Sequence, residues 1–234
     1  MPRQTNIETS TCQSAALWDE LCDQARQADL PDLPRFSELN RLNRDVLFWE
    51  LGYTYWSREL LDALAVRMRG EYRECWLEVA AGTGRLTAEL ARRGVPIAAT
   101  DDYSQAPATV RGSQRAICYR PWVGRFSVRD ALSAIGPDGV VCAWPPLGSC
   151  LVPDLLAGQL AGSDNLRLVV CIGDPTGATE APVQAHELPP GWALESWPEC
   201  QPWLAGFNDD LDGRGTRSRL LIYRRQNRNE LEGD

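Results

Sequence analysis

The second half of the chain alternates between short apolar segments and amphipathic segments, and this alternation limits the fold more than any other feature. Apolar segments typical of strands lie near residues 75–80, 96–100, 126–129, 139–143, 166–172, 192–197 and 219–224. Segments with helical periodicity lie near residues 85–93, 130–135 and 152–161. Alternation of this kind implies right-handed crossovers. We therefore expect an α/β fold with a doubly wound, mostly parallel sheet and helices on both of its faces.

The residues before this alternation divide into two parts. Residues 1–34 are polar and end in DLPDLP, which predicts a partly flexible leader with one short helix at SAALWDELCDQAR. The pattern is helical from residue 35 to residue 70, with Ser57 as a candidate N-cap and Glu59 in the first turn that follows. We expect a single domain over residues 35–228 and a polar tail at 229–234.

Composition and charge exclude several classes of protein. No apolar run is long enough to cross a bilayer and no leader of secretory type opens the sequence, so we expect a cytoplasmic protein without a membrane contact. The net charge of −8 repels phosphate backbones and argues weakly against a nucleic-acid partner, although the arginines from Arg111 to Arg129 could form a local basic patch. All 24 basic residues are arginine, which excludes a Schiff-base lysine and a phosphate-loop lysine.

The eight cysteines give no sign of a metal site. They contain no Cys-x-x-Cys pair, and no histidine stands at ligand spacing from them. Cys75, Cys142 and Cys171 lie in or beside apolar segments, where a reduced thiol behaves as a small hydrophobic group. We expect no bound metal.

The segment LEVAAGTGRL, residues 77–86, marks the candidate ligand site. It is typical of a strand, a glycine turn and the start of a helix, and such a turn exposes backbone N–H groups at the carboxyl end of a parallel strand. Gly82 and Gly84 fall in the turn. Thr87 stands where a nicotinamide-binding G-x-G-x-x-G turn needs its third glycine, so that cofactor is disfavoured.

Glu78, Ala80, Gly82 and Gly84 stand at every second position. This spacing resembles the first motif of the class I S-adenosylmethionine-dependent methyltransferases, acidic-x-G-x-G-x-G, with Ala80 in place of the first glycine. The resemblance implies a Rossmann-like methyltransferase fold with a seven-stranded sheet whose last strand is antiparallel. It also implies S-adenosyl-L-methionine as the cofactor, with these four residues among those that bind it.

Two acidic positions extend this resemblance. The segment PIAATDD ends in Asp101 and Asp102, about 20 residues after the turn, where a carboxylate binds the ribose hydroxyls of a nucleoside. In SVRDA, Asp130 ends a predicted strand and Ala131 starts a helix; the resemblance implies that they bind the adenine ring. The alternatives are a solvated pair of aspartates for the first segment and a simple helix cap for Asp130.

The fourth predicted strand ends in the segment Trp144-Pro145-Pro146. It resembles the Asp-Pro-Pro-aromatic motif of amino methyltransferases, but Trp144 replaces the polar residue and Leu147 the aromatic one, so that chemistry does not carry over. The prolines would still shape the floor of a pocket.

A narrower resemblance joins the Trp-Pro-Pro segment to the N-terminal helices. Little-characterised bacterial methyltransferase-like proteins carry Y-x-W, WPP and G-E motifs, which match here loosely at Tyr55 and Trp56, well at Trp144, and conservatively at Gly173 with Asp174. The likeness covers about residues 50–225 and brings no known function. We expect Trp144 and Tyr55 to line the cofactor pocket.

Methyl transfer needs alignment of an acceptor more than it needs a base. If a base is used, the candidates are His186, Asp174 and Glu180. The alternatives are a solvated loop position for His186 and a turn-forming role for Asp174 before Pro175.

The predicted function is therefore methylation of a small-molecule acceptor, aromatic or planar, which the negative charge and the tryptophans favour. The segment 103–124 is long and broken by proline and glycine, which predicts a lid that carries Arg111, Arg115 or Arg120 toward an acidic group. The alternatives are an RNA or protein methyltransferase, which would need an arginine patch, and a cofactor-binding protein without activity. The sequence leaves the oligomeric state open.

Overall fold

The computed structural model describes residues 7–42, 54–71, 75–104, 108–110, 113–115, 118–162, 165–176, 178–206, 209 and 217–226. The α-helices are α1 (Ile7–Arg26), α2 (Arg58–Gly70), α3 (Arg85–Arg92), α4 (Val128–Ile135) and α5 (Leu151–Leu156). Short 3-10 helices span Phe36–Arg41, Ala185–Glu187 and Gln201–Trp203. The strands are β1 (Trp76–Val79), β2 (Ile97–Asp101), β3 (Ala108–Val110), β4 (Ser113–Arg115), β5 (Val123–Arg125), β6 (Gly139–Ala143), β7 (Leu168–Gly173), β8 (Trp192–Glu195) and β9 (Arg219–Arg225).

Seven of these strands form one sheet in the order β5–β2–β1–β6–β7–β9–β8. The five strands from β5 to β7 pair in parallel. Strand β9, the last in the chain, lies between β7 and β8 and is antiparallel to both. Strands β3 and β4 form a separate antiparallel hairpin. The predicted fold class, a doubly wound and mostly parallel seven-stranded sheet with an antiparallel last strand, is confirmed.

Helices cover both faces of the sheet because successive strand residues point to opposite faces. On β1, Trp76 packs into the core formed with α2 and α3. Its neighbour Leu77 packs into the opposite core, formed with α1, α4 and α5. Burial of one large apolar side chain contributes about 1.5–3 kcal/mol, so these two cores hold the strands in register.

The order of strands reverses at β1. The chain leaves β1 for β2 and β5 on one side, and then returns to place β6 on the other side. Ligands of open α/β sheets bind outside the carboxyl ends of the strands at such a point. The turn at residues 80–84 and the segment that begins at Trp144 both lie there.

The N-terminal segment packs against the sheet. Helix α1 is longer than the helix predicted at SAALWDELCDQAR, and Leu21 and Cys22 near its end are buried in the core shared with α4 and α5. The chain then continues to α3, where the Arg85 guanidinium donates a hydrogen bond to the carbonyl oxygen of Pro31. The predicted N-cap of α2 is confirmed, since the Ser57 hydroxyl accepts a hydrogen bond from the backbone N–H of Leu60.

The strand predicted near residues 126–129 is wrong. The observed strand is β5, which ends at Arg125, and helix α4 begins at Val128 because the Ser127 hydroxyl accepts the backbone N–H of Asp130 as an N-cap. The sequence S-V-R-D is a capping signal that favours this helix start.

The segment 103–124, predicted as a lid, contains the β3–β4 hairpin and the start of β5. Arg111, the Arg115 side chain and the polar tail at 229–234 lie outside the described residues. In the described part of the chain, no helix combines the length and the apolar character needed to span a membrane.

Candidate functional site

The turn after β1 has a left-handed backbone at each of the three small-residue positions that the sequence singled out. The φ angles are 52° at Ala80, 56° at Gly82 and 69° at Gly84. Only glycine adopts this region without a steric cost, which is about 1–2 kcal/mol for other residues. Ala80 therefore adopts a backbone conformation that glycine favours.

The two glycines are needed for different reasons. A Cβ on Gly84 would lie 2.4 Å from the Val123 side chain and 2.8 Å from the Trp122 indole nitrogen. That nitrogen donates a 3.0 Å hydrogen bond to the Gly84 carbonyl, so β5 packs directly on this residue. A Cβ on Gly82 would meet nothing within 4 Å. Gly82 is thus the position of the turn that a ligand can approach closely.

Glu78 stabilises the start of helix α3, directly after the turn. Its Oε2 accepts hydrogen bonds from the backbone N–H of Thr87, at 3.0 Å, and from the Thr87 hydroxyl. Thr87 is in the first turn of α3, whose N-cap residue Gly84 has no side chain, so Glu78 supplies the capping oxygen. Burial raises the pKa of Glu78 to about 7.

Asp101 connects the turn to the end of β2. One carboxylate oxygen accepts the backbone N–H of Gly82 at 2.9 Å, and the other accepts the backbone N–H of Tyr103 at 2.8 Å. The side chain is buried. These contacts make Asp101 a residue that fixes the shape of two loops.

Asp102 lies beside Asp101 and is exposed. Its carboxylate accepts the backbone N–H of Ser104 at 2.9 Å. Hydrogen bonds from the Ser104 side chain and backbone hold the pKa of Asp102 below its ordinary value. Asp102 is therefore an ionised acceptor at the carboxyl end of β2.

An aromatic and arginine cluster adjoins these aspartates, and sequence reasoning missed it. The rings of Tyr103 and Tyr119 stack with centroids 3.8 Å apart. The Arg125 guanidinium lies 5.7 Å from the centre of the Tyr103 ring. Tyr119 and Tyr103 are 16 positions apart across an irregular segment, so no periodicity in the sequence indicated that they meet.

Asp130 lies in the first turn of α4 and does not end a strand. The Ser127 hydroxyl donates to its Oδ2 at 2.7 Å, and the carboxylate is exposed. Ala131, the next residue, is buried in the core. The structure thus shows the capping arrangement, and the adenine role of both residues stays a prediction.

Trp144 follows β6 at the point where the strand order reverses. It is half-buried, and its backbone has φ 62°, a left-handed conformation that is rare for a bulky residue. Its ring packs against Gly206, where a Cβ would lie 3.0 Å from the ring. Tyr55 is fully buried, with its backbone N–H donating to Ala205 at 2.9 Å. Tyr55 and Trp144 therefore contact neighbouring positions of one loop.

The acidic base candidates follow β7. The Asp174 side chain is buried, and its Oδ1 accepts hydrogen bonds from the backbone and hydroxyl of Thr176, which is a turn-forming arrangement. The Glu180 Oε2 accepts the backbone N–H of Val152 at 3.1 Å, and burial raises the pKa of Glu180.

His186 lies in the short 3-10 helix Ala185–Glu187. It is exposed in the crossover that carries the chain from the carboxyl end of β7 to Trp192, at the opposite edge of the sheet. The fold places the remaining candidates at the carboxyl ends of the strands or beside them, namely Glu78, Ala80, Gly82, Gly84, Asp101, Asp102, Asp130, Trp144 and Asp174.

The fold and this turn define a doubly wound α/β protein with a candidate ligand site at the carboxyl ends of its strands. No family model matches the chain, and no curated protein matches it. Among solved structures, an rRNA methylase from Escherichia coli is similar over 89% of this chain and 77% of that chain, at 12% identity and with a TM-score of 0.34. At that TM-score the likeness adds nothing to what the sheet and the turn show. Within the described residues, no group of three or more His, Cys, Asp or Glu side chains could hold a metal ion.

Proposed function

We propose that this protein is an S-adenosylmethionine-dependent methyltransferase that acts on a small, planar acceptor. One observation carries the proposal. Ala80, Gly82 and Gly84 repeat a left-handed backbone at every second position, and Asp101 of the next strand holds the middle one of the three. The motif that resembles that of the class I methyltransferases thus forms one left-handed turn at Ala80 as well as at the two glycines, and this supports the proposal.

The residues present suit a sulfonium nucleoside. The open side of Gly82 lets a ligand reach the backbone. Asp102 is ionised and exposed, so its carboxylate can accept the two ribose O–H groups. Glu78 and Asp101 take positioning roles, because their oxygens hold the turn. The Trp144 ring at the end of β6 suits contact with a cationic sulfonium or a flat acceptor.

When bound, S-adenosylmethionine supplies a methyl group that is already activated, so the protein mainly aligns the acceptor with it. The segment after β6 and the loops that pack on it would align the acceptor with the methyl group. The Asp174 Oδ1 accepts hydrogen bonds from Thr176, the Glu180 Oε2 accepts the backbone N–H of Val152, and His186 is exposed. The proposal therefore assigns no general base, and the acceptor's proton passes to solvent.

Calorimetry with S-adenosylhomocysteine tests the cofactor. We expect the wild-type protein to bind it and Asp102→Asn to bind it at least tenfold more weakly, because two charge-assisted hydrogen bonds are weakened. Asp19→Asn is the matched control, since Asp19 is exposed on α1, and its affinity should stay at the wild-type value. Binding of NAD in place of S-adenosylhomocysteine would contradict the proposal. Release of S-adenosylhomocysteine in a metabolite screen then separates an enzyme from a binding protein.

An RNA acceptor is the second candidate, and the stacked tyrosines favour it. Tyr103, Tyr119 and Arg125 form a surface of the kind that stacks bases, and Arg120 and Arg129 are exposed nearby in the chain. If RNA is the acceptor, single-stranded RNA should bind with an affinity that falls steeply between about 50 and 200 mM salt, and Arg125→Ala should weaken it. Arg41→Ala, an exposed arginine on another element, is the control. Absence of salt-sensitive binding leaves the small-molecule assignment.

A further inference from the structure

Three elements meet around Gly206, at the carboxyl edge of the sheet. Thr54 and Gly206 form an isolated antiparallel bridge. A Cβ on Gly206 would lie 2.4 Å from the Ser218 hydroxyl oxygen and 3.0 Å from the Trp144 ring. Opposed residues of an antiparallel pair direct their Cβ atoms to the same side, about 4.5–5.5 Å apart. The Thr54 side chain therefore lies on the same side of the bridge as the Ser218 hydroxyl and the Trp144 ring.

The hydroxyls of Thr54 and Ser218 are both buried, with the residues 3% and 1% exposed. Among the residues that the structure describes, neither hydroxyl has a hydrogen-bond partner. Buried polar groups are nearly always hydrogen-bonded, because an unmet donor or acceptor is costly. Two such hydroxyls on one side of one bridge therefore indicate a site that a further polar group can fill.

Trp144, which follows β6, lies beside these hydroxyls. Its ring rests on Gly206, and its left-handed backbone is unfavourable for a bulky side chain. This conformation thus has two unfavourable features: the left-handed backbone of Trp144 and the two buried hydroxyls without a hydrogen-bond partner among the described residues. Both hydroxyls are buried, so a ligand can reach them only if the ring moves away from Gly206.

We propose that Trp144 is a movable cover over an acceptor subsite whose polar end is formed by the Thr54 and Ser218 hydroxyls. The proposal rests on the proposed function and specifies its substrate class: a neutral, planar group that both donates and accepts hydrogen bonds. The flat indole provides the apolar wall, and each hydroxyl can donate or accept.

Asp209 explains why the group is neutral. Its carboxylate is buried in the same loop and accepts the backbone N–H groups of Gly206, at 2.7 Å, of Ser218, at 3.1 Å, and of Arg217. An anion would be repelled by this carboxylate. These three N–H groups use most of the roughly four acceptor positions of the carboxylate, which leaves little for direct contact with a cation.

Thermal unfolding of the full chain tests whether the two hydroxyls lack hydrogen-bond partners. Thr54→Val and Ser218→Ala each remove an unpartnered hydroxyl and should leave Tm unchanged or raise it by about 2–4 °C. Thr87→Val is the matched control, because its buried hydroxyl donates to Glu78, and its Tm should fall. A fall in Tm for Thr54→Val and Ser218→Ala like that of the control would show a structural role and overturn the proposal.

Ligand-observed NMR tests the subsite with benzamide, which donates and accepts, and with acetophenone, which has the same shape and only accepts. We expect the wild-type protein to bind benzamide about tenfold more tightly than acetophenone. The Thr54→Val, Ser218→Ala double variant should lose this preference. Failure of benzamide to bind, or an unchanged preference in the double variant, would overturn the proposal.

Calorimetry with S-adenosylhomocysteine on the same variants separates the two proposals. The double variant should keep the wild-type affinity for S-adenosylhomocysteine. If neither the wild type nor any variant binds S-adenosylhomocysteine but the wild type still prefers benzamide, the proposed function is wrong and the subsite is supported. If S-adenosylhomocysteine binds and the preference is missing, the subsite fails alone.

Discussion

At the scale of single residues, the turn after β1 depends on two glycines with separate tasks. Gly84 makes room for Trp122 and Val123, whereas Gly82 faces open space. The first task concerns folding and the second concerns a ligand. Substitution can therefore separate stability from binding within one turn.

We expect Gly84→Ala to lower the free energy of unfolding by at least about 2 kcal/mol, because the added Cβ overlaps β5 in addition to the left-handed strain. Gly82→Ala should cost about 1 kcal/mol, from the left-handed backbone alone, and should also weaken S-adenosylhomocysteine binding. Gly191→Ala is the control: its φ is 84° with nothing within 4 Å of the new Cβ, and it lies near β8. Thermal unfolding and calorimetry measure these effects, and equal affinity in the Gly82 and Gly191 variants would contradict the role of Gly82.

Glu78 makes stability depend on pH. Its folded pKa of about 7 lies above the ordinary value of 4.5, so the unfolded chain releases the proton first as pH rises. The stabilisation is present below the ordinary value and is lost as pH rises to about 7, by about 1.4 kcal/mol for each unit of pH between the two values. Glu78→Gln cannot ionise, so the Tm of the wild type should fall relative to this variant from about pH 5 to about pH 8.

The control for this pH dependence is Glu20→Gln, because Glu20 is exposed on α1. Its Tm should follow that of the wild type across the same range. If the Tm of the wild type and the Tm of Glu78→Gln change equally with pH, Glu78 has the same pKa in the folded protein and in the unfolded chain, and the expected pH dependence is wrong.

At the scale of elements, helix α3 connects the turn to the N-terminal segment. The Arg85 side chain, 3% exposed, forms a 2.9 Å ion pair with Glu89 and also donates to Pro31. The backbone N–H of Arg58, at the start of α2, donates to the Pro34 carbonyl at 3.0 Å. Residues 31–34 are therefore held by the first turns of two helices.

Arg85→Met should lower the free energy of unfolding by about 2 kcal/mol, since it removes the contacts with Glu89 and Pro31 while Arg93 still pairs with Glu89. It should also speed trypsin cleavage after Arg35, because the segment before it loses its contact with α3. Arg92→Met is the control: Arg92 is 41% exposed and lies 3.8 Å from Glu89, so its loss should cost less than about 1 kcal/mol. Equal effects of the two substitutions would assign no special role to the buried pair.

At the scale of the whole molecule, periodicity was sufficient to predict the α/β class, because the strands and the helices each follow their own spacing of apolar residues. It placed the Gly82 turn, Asp101 and Asp102 at strand ends. It could not show that Asp101 turns into the loop while Asp102 stays exposed, because that depends on backbone contacts between separate loops. The bridge between Thr54 and Gly206 joins residues far apart in the chain, and no local pattern encodes such a pairing.

The insertion of β9 between β7 and β8 has a consequence for biosynthesis. Strand β8 reaches the sheet only through β9, which follows both β7 and β8 in the chain and so leaves the ribosome after them. Until β9 has been synthesised, the apolar strand Leu168–Gly173 has one edge with unpaired backbone groups. Strands of neighbouring nascent chains can pair with this edge. Premature termination before Arg219 would thus remove two strands from the finished sheet and leave that edge permanently open to self-association.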